Sequence, residues 1–342
     1  MKLKMTLIWA SIAAAVSSTP AFAETTIGGY GEMHYNNTSS DLTNDDKTEI
    51  DFHRFVLFFG HDFNEKIRFF SEVELEHALA GESQPGEVEL EQAYVELDTS
   101  DNASIKAGIF LIPVGILNEI HEPTTFYGVE RNPVEKNIIP TTWWEGGAMY
   151  SAHMDNGISY DLAIHSGLSD TAGNVRGGRE KVAEAPADSL AYTARIKYTG
   201  VAGLELASTV QYQSDFSQGL GVAGDAEDGT LLEAHAIYST GGLKLIALYA
   251  SWDINFDGGT TTGKDTQNGS IVEASYKFTS NWGVFARQNN WTNDDGLTDQ
   301  AQTDFGFNYW PHEDVVFKID YQAQNDDAGD FDGFNLGLGY QF

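Results

Sequence analysis

The chain lacks cysteine and has few basic residues. Its 342 residues include 19 Lys and Arg against 51 Asp and Glu, which leaves a formal net charge of −32. Without cysteine there are no disulfides, thiolate zinc sites or cysteine nucleophiles. An acidic chain of this kind is also a poor nucleic-acid binder, because phosphate contact needs clustered Lys and Arg. With 41% apolar residues, it is nevertheless too apolar for a disordered acidic tail.

Residues 1–23 have the pattern of a secretory signal peptide. Lys2 and Lys4 are followed by an apolar stretch at 5–16, and Ala21 and Ala23 fit the A-x-A cleavage pattern. The apolar stretch is too short for a membrane helix, which needs roughly 20 residues. We therefore expect cleavage after Ala23 and a mature domain over 24–342, with a retained N-terminal anchor as the alternative.

Long apolar runs are also absent beyond residue 23. Instead, segments of about ten residues alternate apolar and polar side chains, which is the period of a β-strand. The clearest segment ends the chain, where apolar residues at 334, 336, 338, 340 and 342 alternate with Asn335, Gly337, Gly339 and Gln341. This pattern predicts an all-β protein.

Short and long links between the alternating segments follow one another in strict alternation. Short links rich in Gly, Asn and Asp, as tight hairpins require, lie at 64–66, 99–102, 155–157, 199–203, 240–242, 279–281 and 310–314. Long links lie between them at 37–49, 80–86, 113–144, 167–188, 215–229, 255–268, 292–300 and 325–332. Fifteen links predict sixteen strands.

An even strand number with short turns at one end and long loops at the other is typical of an outer-membrane barrel. A sheet in lipid must close on itself, because lipid offers no hydrogen-bond partners to its edges. We therefore predict a 16-stranded antiparallel transmembrane β-barrel in the outer membrane of a Gram-negative bacterium, in contact with lipid and lipopolysaccharide. A soluble sandwich or jelly roll is the alternative. Segments 51–63 and 86–98 have no clear register.

A barrel of this size predicts a channel. Sixteen strands leave an aqueous lumen, which favours passive diffusion of small hydrophilic solutes or ions over enzyme activity. The longest link, 113–144, is too long for a turn and holds four of the eight prolines. We expect it to fold inward as the third long loop and to constrict the pore, with an exposed loop as the alternative. Its charged candidates are Glu119, Glu122, Glu130, Arg131, Glu135 and Lys136.

Within this loop, Arg131 is the best candidate for a constriction base, and Lys136 is the second. The alternative is that both bases form salt bridges with the nearby Glu130 and Glu135, which would fix the loop to the wall. On the strand walls, the alternation turns these basic residues toward the lumen: Arg54, Arg68, Lys106, Arg195, Lys197, Lys277, Arg287 and Lys318. Facing them are Glu72, Glu74, Glu76, Asp161, Glu205, Glu233, Glu273, Asp304 and Asp320.

The stretch 51–167 resembles the phosphate-selective porin O and P family of trimeric outer-membrane channels. The resemblance lies in Arg54, in 69–74 (Phe-Phe-Ser-Glu-Val-Glu), 92–96 (Gln-Ala-Tyr-Val-Glu), 105–110 (Ile-Lys-Ala-Gly-Ile-Phe), 113–117 (Pro-Val-Gly-Ile-Leu) and 129–132 (Val-Glu-Arg-Asn). It implies a homotrimer with a preference for anions such as phosphate. The family lines its lumen with ranks of Arg and Lys, whereas the lumen predicted here is mixed, so phosphate selectivity does not follow.

The last four long links are acidic. They carry Asp215, Asp225, Glu227, Asp228, Asp257, Asp265, Asp294, Asp295, Asp299, Asp326, Asp327, Asp330 and Asp332 against one base, Lys264. Such a rim enriches cations within a Debye length and suits divalent cations, although no EF-hand spacing is present and no cofactor is predicted. The histidines show no zinc-ligand spacing. Two other functions stay open: an adhesive barrel that binds a partner through these acidic loops, and a hydrolase that uses Ser151 and His153.

Overall fold

The computed structural model describes residues 24–40, 46–221, 225–259, 263–294, 299–325 and 331–342. The predicted signal peptide lies outside these residues. The described chain contains sixteen strands: β1 (Thr25–Ser40), β2 (Lys47–Asn64), β3 (Ile67–Glu76), β4 (Val88–Ser100), β5 (Ala103–Leu111), β6 (Trp144–His153), β7 (Ile158–His165), β8 (Ala191–Tyr198), β9 (Leu204–Gln213), β10 (Ala226–Thr240), β11 (Leu243–Phe256), β12 (Thr266–Lys277), β13 (Trp282–Thr292), β14 (Gln300–His312), β15 (Val315–Asn325) and β16 (Phe331–Gln341).

The sheet closes into a barrel. Each strand pairs antiparallel with its neighbours in sequence, and β1 pairs with β16 from Tyr30 opposite Gln341 to Ser40 opposite Phe331. The predicted strand number, link order and closure are therefore confirmed. The end of the barrel that carries the long links is here called the long-link end, and the opposite end is called the short-turn end. Among the described residues, no helix is long and apolar enough to cross a membrane.

Two β-bulges explain why alternation alone does not assign a register to 51–63 and 86–98. The pairing of β1 with β2 shifts between Glu32 and His34, and that of β3 with β4 shifts between Glu72 and Val73. A bulge inserts one residue into a strand and so breaks the alternation of faces. In β4 the extra residue is Glu91, whose side chain turns inward and is only 2% exposed.

Residues 113–144, here called the inner loop, fold into the barrel as predicted. A single helix, α1 (Pro133–Asn137), begins where the Asn132 side chain accepts a hydrogen bond from the Glu135 N–H, with proline in the first turn. Both features favour a helix start. Trp143 and Trp144, at the end of the loop, are 0% and 3% exposed. Their burial fits the expectation that this segment is not an exposed loop.

A second long link, 167–188, lies over the inner loop and is here called the covering loop. Its Arg176 donates hydrogen bonds to the carbonyls of Lys136 (2.6 Å) and Thr141 (2.8 Å). Its Arg179 donates to the carbonyls of Pro140 (2.9 Å) and Thr142 (2.5 Å). These arginines satisfy loop carbonyls that have no strand partner, so the two loops hold each other in place.

Candidate permeation site

Toward the long-link end, one side of the barrel interior is apolar. The inner faces of β10, β11 and β12 carry Leu231, Leu248, Ala250, Trp252, Ile254 and Ile271, which pack with inner-loop residues Val134, Ile138, Ile139 and Trp143 in one buried cluster. The Trp252 Nε1–H also donates to the Ile138 carbonyl at 2.9 Å. Because this cluster is closely packed and apolar, it attaches α1 to the wall and leaves no polar surface for a hydrated solute.

The other half of the interior is polar. Across the lumen from the apolar cluster, Glu130 accepts hydrogen bonds from Asn36 (2.9 Å) and contacts His34 Nδ1 (3.0 Å) on β1. The backbone of the inner loop is held there too, since Lys318 Nζ donates to the Gly128 carbonyl at 2.8 Å and the Val129 N–H donates to Asp320 at 2.5 Å. Side chains of β1 and β15 therefore fix the path of the loop by hydrogen bonds rather than by packing.

The inner loop reaches toward the short-turn end. Thr124 Oγ1 donates to Gln341 Oε1 at 2.7 Å, near the end of β16, and Glu119 forms a salt bridge with Arg195 of β8. Burial alone raises the pKa of the Glu119 carboxyl, but the Arg195 guanidinium outweighs it and holds the pKa at about 2. Glu119 is therefore ionised at neutral pH and anchors this part of the loop.

Glu135 organises the loop from within. Its Oε1 accepts hydrogen bonds from the backbone N–H groups of Ile116 (2.6 Å) and Leu117 (2.7 Å), and its Oε2 accepts from the Asn132 side chain (2.7 Å). All of these groups are buried or partly buried, so the carboxylate satisfies donors that water does not reach. Glu135 has a structural role, whereas the sequence grouped it with the charged candidates of the constriction.

The eight strand bases predicted to face the lumen lie on the inner wall, but the positive charge of most of them is paired. Five form salt bridges with carboxylates. The partners are Glu32 for Arg54, Asp98 for Arg68, Asp161 for Arg195, Glu205 for Lys197 and Asp304 for Arg287. The other three contact aromatic rings, with Lys106 over Tyr94, Lys277 over Trp310 and Lys318 over Phe126. The wall therefore presents little unpaired positive charge, in line with the mixed lumen expected from the sequence.

Arg131 and Lys136 differ from these wall bases. Arg131 donates one hydrogen bond, to Thr142 Oγ1 at 2.6 Å, and its Nε and Nη2 have no hydrogen-bond partner. Within the described chain, neither base forms a salt bridge, because Glu130 and Glu135 are engaged elsewhere. Both bases border a cavity of about 310 Å³ toward the long-link end, together with Lys47, Glu130 and polar side chains of β14, β15 and β16.

A larger cavity, of about 720 Å³, opens at the short-turn end. It is lined by side chains of both signs, among them Arg68, Asp98, Asp161, Arg195 and Lys197. Glu122, the remaining loop candidate, belongs to neither cavity, and its Oε2 is buried without a hydrogen bond. The two cavities lie on opposite sides of the inner loop, so a solute that crosses the barrel has to pass this loop.

The structure gives no support to a hydrolase site at Ser151 and His153. Ser151 Oγ donates to Asp161 at 2.6 Å, and Asp161 in turn pairs with Arg195. A serine nucleophile needs a base as its hydrogen-bond partner, with a third group to orient that base. A carboxylate already paired with an arginine is poorly suited to accept the proton.

Several acidic residues of the long links border a third cavity of about 510 Å³. Its lining includes Asp215, Asp225, Glu227, Asp228 and Asp257. The Asp215 carboxylate accepts hydrogen bonds from the Ser217 and Gly219 N–H groups, both at 2.8 Å, so it orders its own loop. Asp295, Asp326, Asp327 and Asp330 lie outside the described residues, and cation binding at this rim stays a prediction.

Sequence reasoning missed several inward-facing groups. Arg176 and Arg179 gave no signal because loop residues have no alternation of faces. Glu91 was hidden by the bulge in β4. His34, His53 and His77 come from three separate segments, yet His53 and His77 both contact the Asp51 carboxylate, at 3.1 and 2.8 Å. No spacing within one segment could reveal such a group.

Comparison with known proteins identifies the family. Residues 10–342 match the profile of the Gram-negative porins. An uncharacterized protein of Aquifex aeolicus (strain VF5) is 38% identical over 248 residues, 70% of this chain and 53% of the relative. The chain thus spans about half the length of that curated relative.

Among solved structures, the barrel is similar to the anion-selective porin from Comamonas acidovorans, with a TM-score of 0.69 and 12% identity over 94% of this chain and 100% of that chain. It is also similar to the outer membrane channel DcaP of Acinetobacter baumannii, with a TM-score of 0.65 and 16% identity over 96% and 100%. At sequence identities this low, the structural similarity shows a shared fold and no more. Together with the family match, it shows that the chain belongs to the Gram-negative porins, non-enzymatic barrels of the outer membrane.

Proposed function

We propose that this porin is a passive diffusion channel for small hydrophilic solutes and that its inner loop favours small anions. The observation that carries the proposal is the pair of bases at the loop, Arg131 and Lys136, which form no salt bridge in the described chain and border the cavity toward the long-link end. A pore selects by the charges at its narrowest part. Bases already paired on the wall contribute much less to that selection.

The acidic rim opposes this preference at a distance. Its field extends about 10 Å at 0.1 M salt and about 3 Å at 1 M, whereas Arg131 and Lys136 act on an ion that passes next to them. Anion preference should therefore be clearer at high salt than at low salt. Phosphate, to which the sequence resemblance points, is one candidate anion, and support for it is limited to that resemblance and these two bases.

The experiment is the reversal potential of the purified barrel in a planar bilayer across a KCl gradient. The expected result is an anion-selective potential that shifts toward cation selectivity in the double variant Arg131→Gln, Lys136→Gln. Lys47→Gln is the matched control, because Lys47 borders the same cavity but is paired with Glu49 at 2.6 Å. An equally large shift of the reversal potential in Lys47→Gln, or a cation-selective potential of the wild-type protein at high salt, would contradict the anion preference. A folded protein that does not conduct would contradict the channel itself.

We further propose that the chain is a homotrimer with its signal peptide cleaved after Ala23. The trimer is supported by the sequence resemblance and by the similar fold of OmpT of Vibrio cholerae, described as a trimer form, with a TM-score of 0.63 and 11% identity over 93% of this chain. Light scattering of the detergent-solubilised protein, with the detergent mass subtracted, should give three chains. N-terminal sequencing of the exported protein should begin at Glu24.

A further inference from the structure

The inner loop meets the wall at a buried cluster of one histidine and two glutamates. His121 comes from the loop, Glu72 from β3 and Glu91 from the bulge in β4, and their side chains are 2–4% exposed. Each carboxylate lies 3.5 Å from the same ring nitrogen, His121 Nε2. The facing atoms Glu72 Oε1, Glu91 Oε2 and His121 Nε2 have no hydrogen-bond partner. Buried polar atoms without partners are rare and call for an explanation.

The spacing of these three atoms suits a metal ion better than direct hydrogen bonds. A charge-assisted N–H···O bond spans about 2.7–2.9 Å, well below the 3.5 Å seen here. Tetrahedral zinc, with bonds of about 2.0–2.2 Å to nitrogen and oxygen, separates its ligand atoms by about 3.3–3.6 Å. All three candidate ligand atoms lie within 4.8 Å of one another, so one ion reaches them together.

A neighbouring side chain also orients the cluster. Gln92 Nε2 donates a hydrogen bond to the other oxygen of Glu72, Oε2, at 2.7 Å, which leaves Oε1 directed at His121. Metal-binding carboxylates commonly have such a partner, which fixes their orientation. When a metal ion displaces the imidazole proton, the two carboxylates and the neutral imidazole carry a charge of −2, which balances a divalent cation.

A second cluster of the same composition provides a contrast. His235 contacts Glu233 through Nδ1 at 2.7 Å and Glu205 through Nε2 at 3.3 Å. Its two carboxylates therefore lie on opposite sides of the ring and cannot share one ion with a single nitrogen. Its contacts are ordinary hydrogen bonds, whereas the contacts of His121 are not.

We propose that Glu72, Glu91 and His121 bind a divalent transition-metal ion of the zinc type, which attaches the inner loop to β3 and β4. The donor set of one imidazole and two carboxylates suits zinc, and a water molecule that enters with the ion can supply the fourth ligand. The ion would act as a structural clamp beside the constriction. The proposal does not depend on the ion selectivity proposed above, although Arg131 lies close enough to act on the charges of His121 and Glu91.

The test is zinc binding by the full-length, folded barrel. The protein is stripped with EDTA, exchanged into metal-free buffer and titrated with Zn²⁺ by calorimetry, with bound metal counted by mass spectrometry. Glu91→Gln and Glu72→Gln should each weaken the zinc site by more than about 100-fold, because loss of even an indirect partner costs 10–100-fold. Glu233→Gln, in the contrasting cluster, should leave binding unchanged. Circular dichroism verifies that each variant folds.

Asp51, His53 and His77 form the main competing site, since their ligand atoms also lie close together. Asp51→Asn therefore serves as a second control and should retain the tight site. Zinc binding that is lost in Asp51→Asn but kept in both glutamate variants would overturn the proposal. So would a wild-type barrel that binds no zinc tighter than millimolar.

Discussion

The two halves of the barrel interior are built from the same kind of strand but filled differently. On β11, the inner face carries Leu248, Trp252 and Phe256, and the inner loop packs on it as a hydrophobic core. On β1 and β15, the inner face carries His34 and Lys318, and the loop is held by separate hydrogen bonds. The first arrangement excludes water, and the second leaves a polar cavity open. We therefore expect the solute path to follow the polar half.

This difference shows that strand alternation assigns a residue to the inner wall without deciding whether it contacts solute. Arg54 and Arg287 both face inward, yet these residues are only 6% and 5% exposed and are held in salt bridges. Arg131, in an irregular loop, borders the cavity and forms no salt bridge in the described chain, and its Nε and Nη2 are buried without a hydrogen-bond partner. Selectivity in this account depends on where the loop leaves a base unpaired.

The largest expected effect comes from the apolar half. Trp143 is fully buried against Trp252, with ring centroids 6.2 Å apart, and its Nε1–H donates to Glu145 at 2.8 Å. Trp143→Ala should lower the free energy of unfolding by about 3–5 kcal/mol through the cavity it leaves. Denaturant unfolding in detergent measures this loss. Trp282→Ala is the control, since Trp282 is 44% exposed on the outer face, and an equal loss there would contradict the packing argument.

A smaller effect is expected where the loop is anchored by charge. Glu119→Gln removes one carboxylate from Arg195, which keeps Asp161 as a partner at 2.7 Å. We expect the free energy that holds this part of the loop to the wall to fall by about 1.5–3 kcal/mol, which is the contribution of a hydrogen bond to a charged group. Hydrogen–deuterium exchange of 116–125 should accelerate, and anion preference should rise because a negative charge is lost. Glu122 lies in the same loop and forms no salt bridge in the described chain, so Glu122→Gln should accelerate hydrogen–deuterium exchange less than Glu119→Gln does.

The smallest effect is expected from pH. Burial raises the pKa of Glu130, but the hydrogen bond from His34 reverses this and lowers it, and Arg195 holds the pKa of Glu119 at about 2. Because the pKa of each carboxyl is lowered in the folded protein, the ionised carboxylate stabilises the anchored loop fully at a pH above the ordinary pKa of about 4.3. This stabilisation is lost as the pH falls toward 2. Single-channel conductance should therefore stay constant from pH 8 to pH 5. Closure of the channel near pH 6 would show that other groups control the loop.

The sequence predicted the barrel because its signals are local and repeated. Alternation such as that of 334–342 and the order of short and long links need no knowledge of tertiary contacts. The contacts of the site were harder to predict, because the partners are distant in sequence. Arg131 donates a hydrogen bond to Thr142 rather than pairing with Glu130 or Glu135, and His121 of the loop meets Glu72 and Glu91 on the wall. The bulge at Glu91 and the position of Arg176 over the inner loop depend on the folded barrel, so alternation alone could not place them.

The most direct test of the two-half interior uses the absence of cysteine from the chain. Single cysteines are introduced at Gln322, which borders the polar cavity, and at Leu248 in the apolar cluster, and each channel is exposed to a charged methanethiosulfonate reagent in a bilayer. We predict that Gln322→Cys reacts quickly with a stepwise fall in conductance, while Leu248→Cys stays unmodified. Equal reaction at both positions, or reaction at Leu248→Cys alone, would contradict a solute path along the polar half.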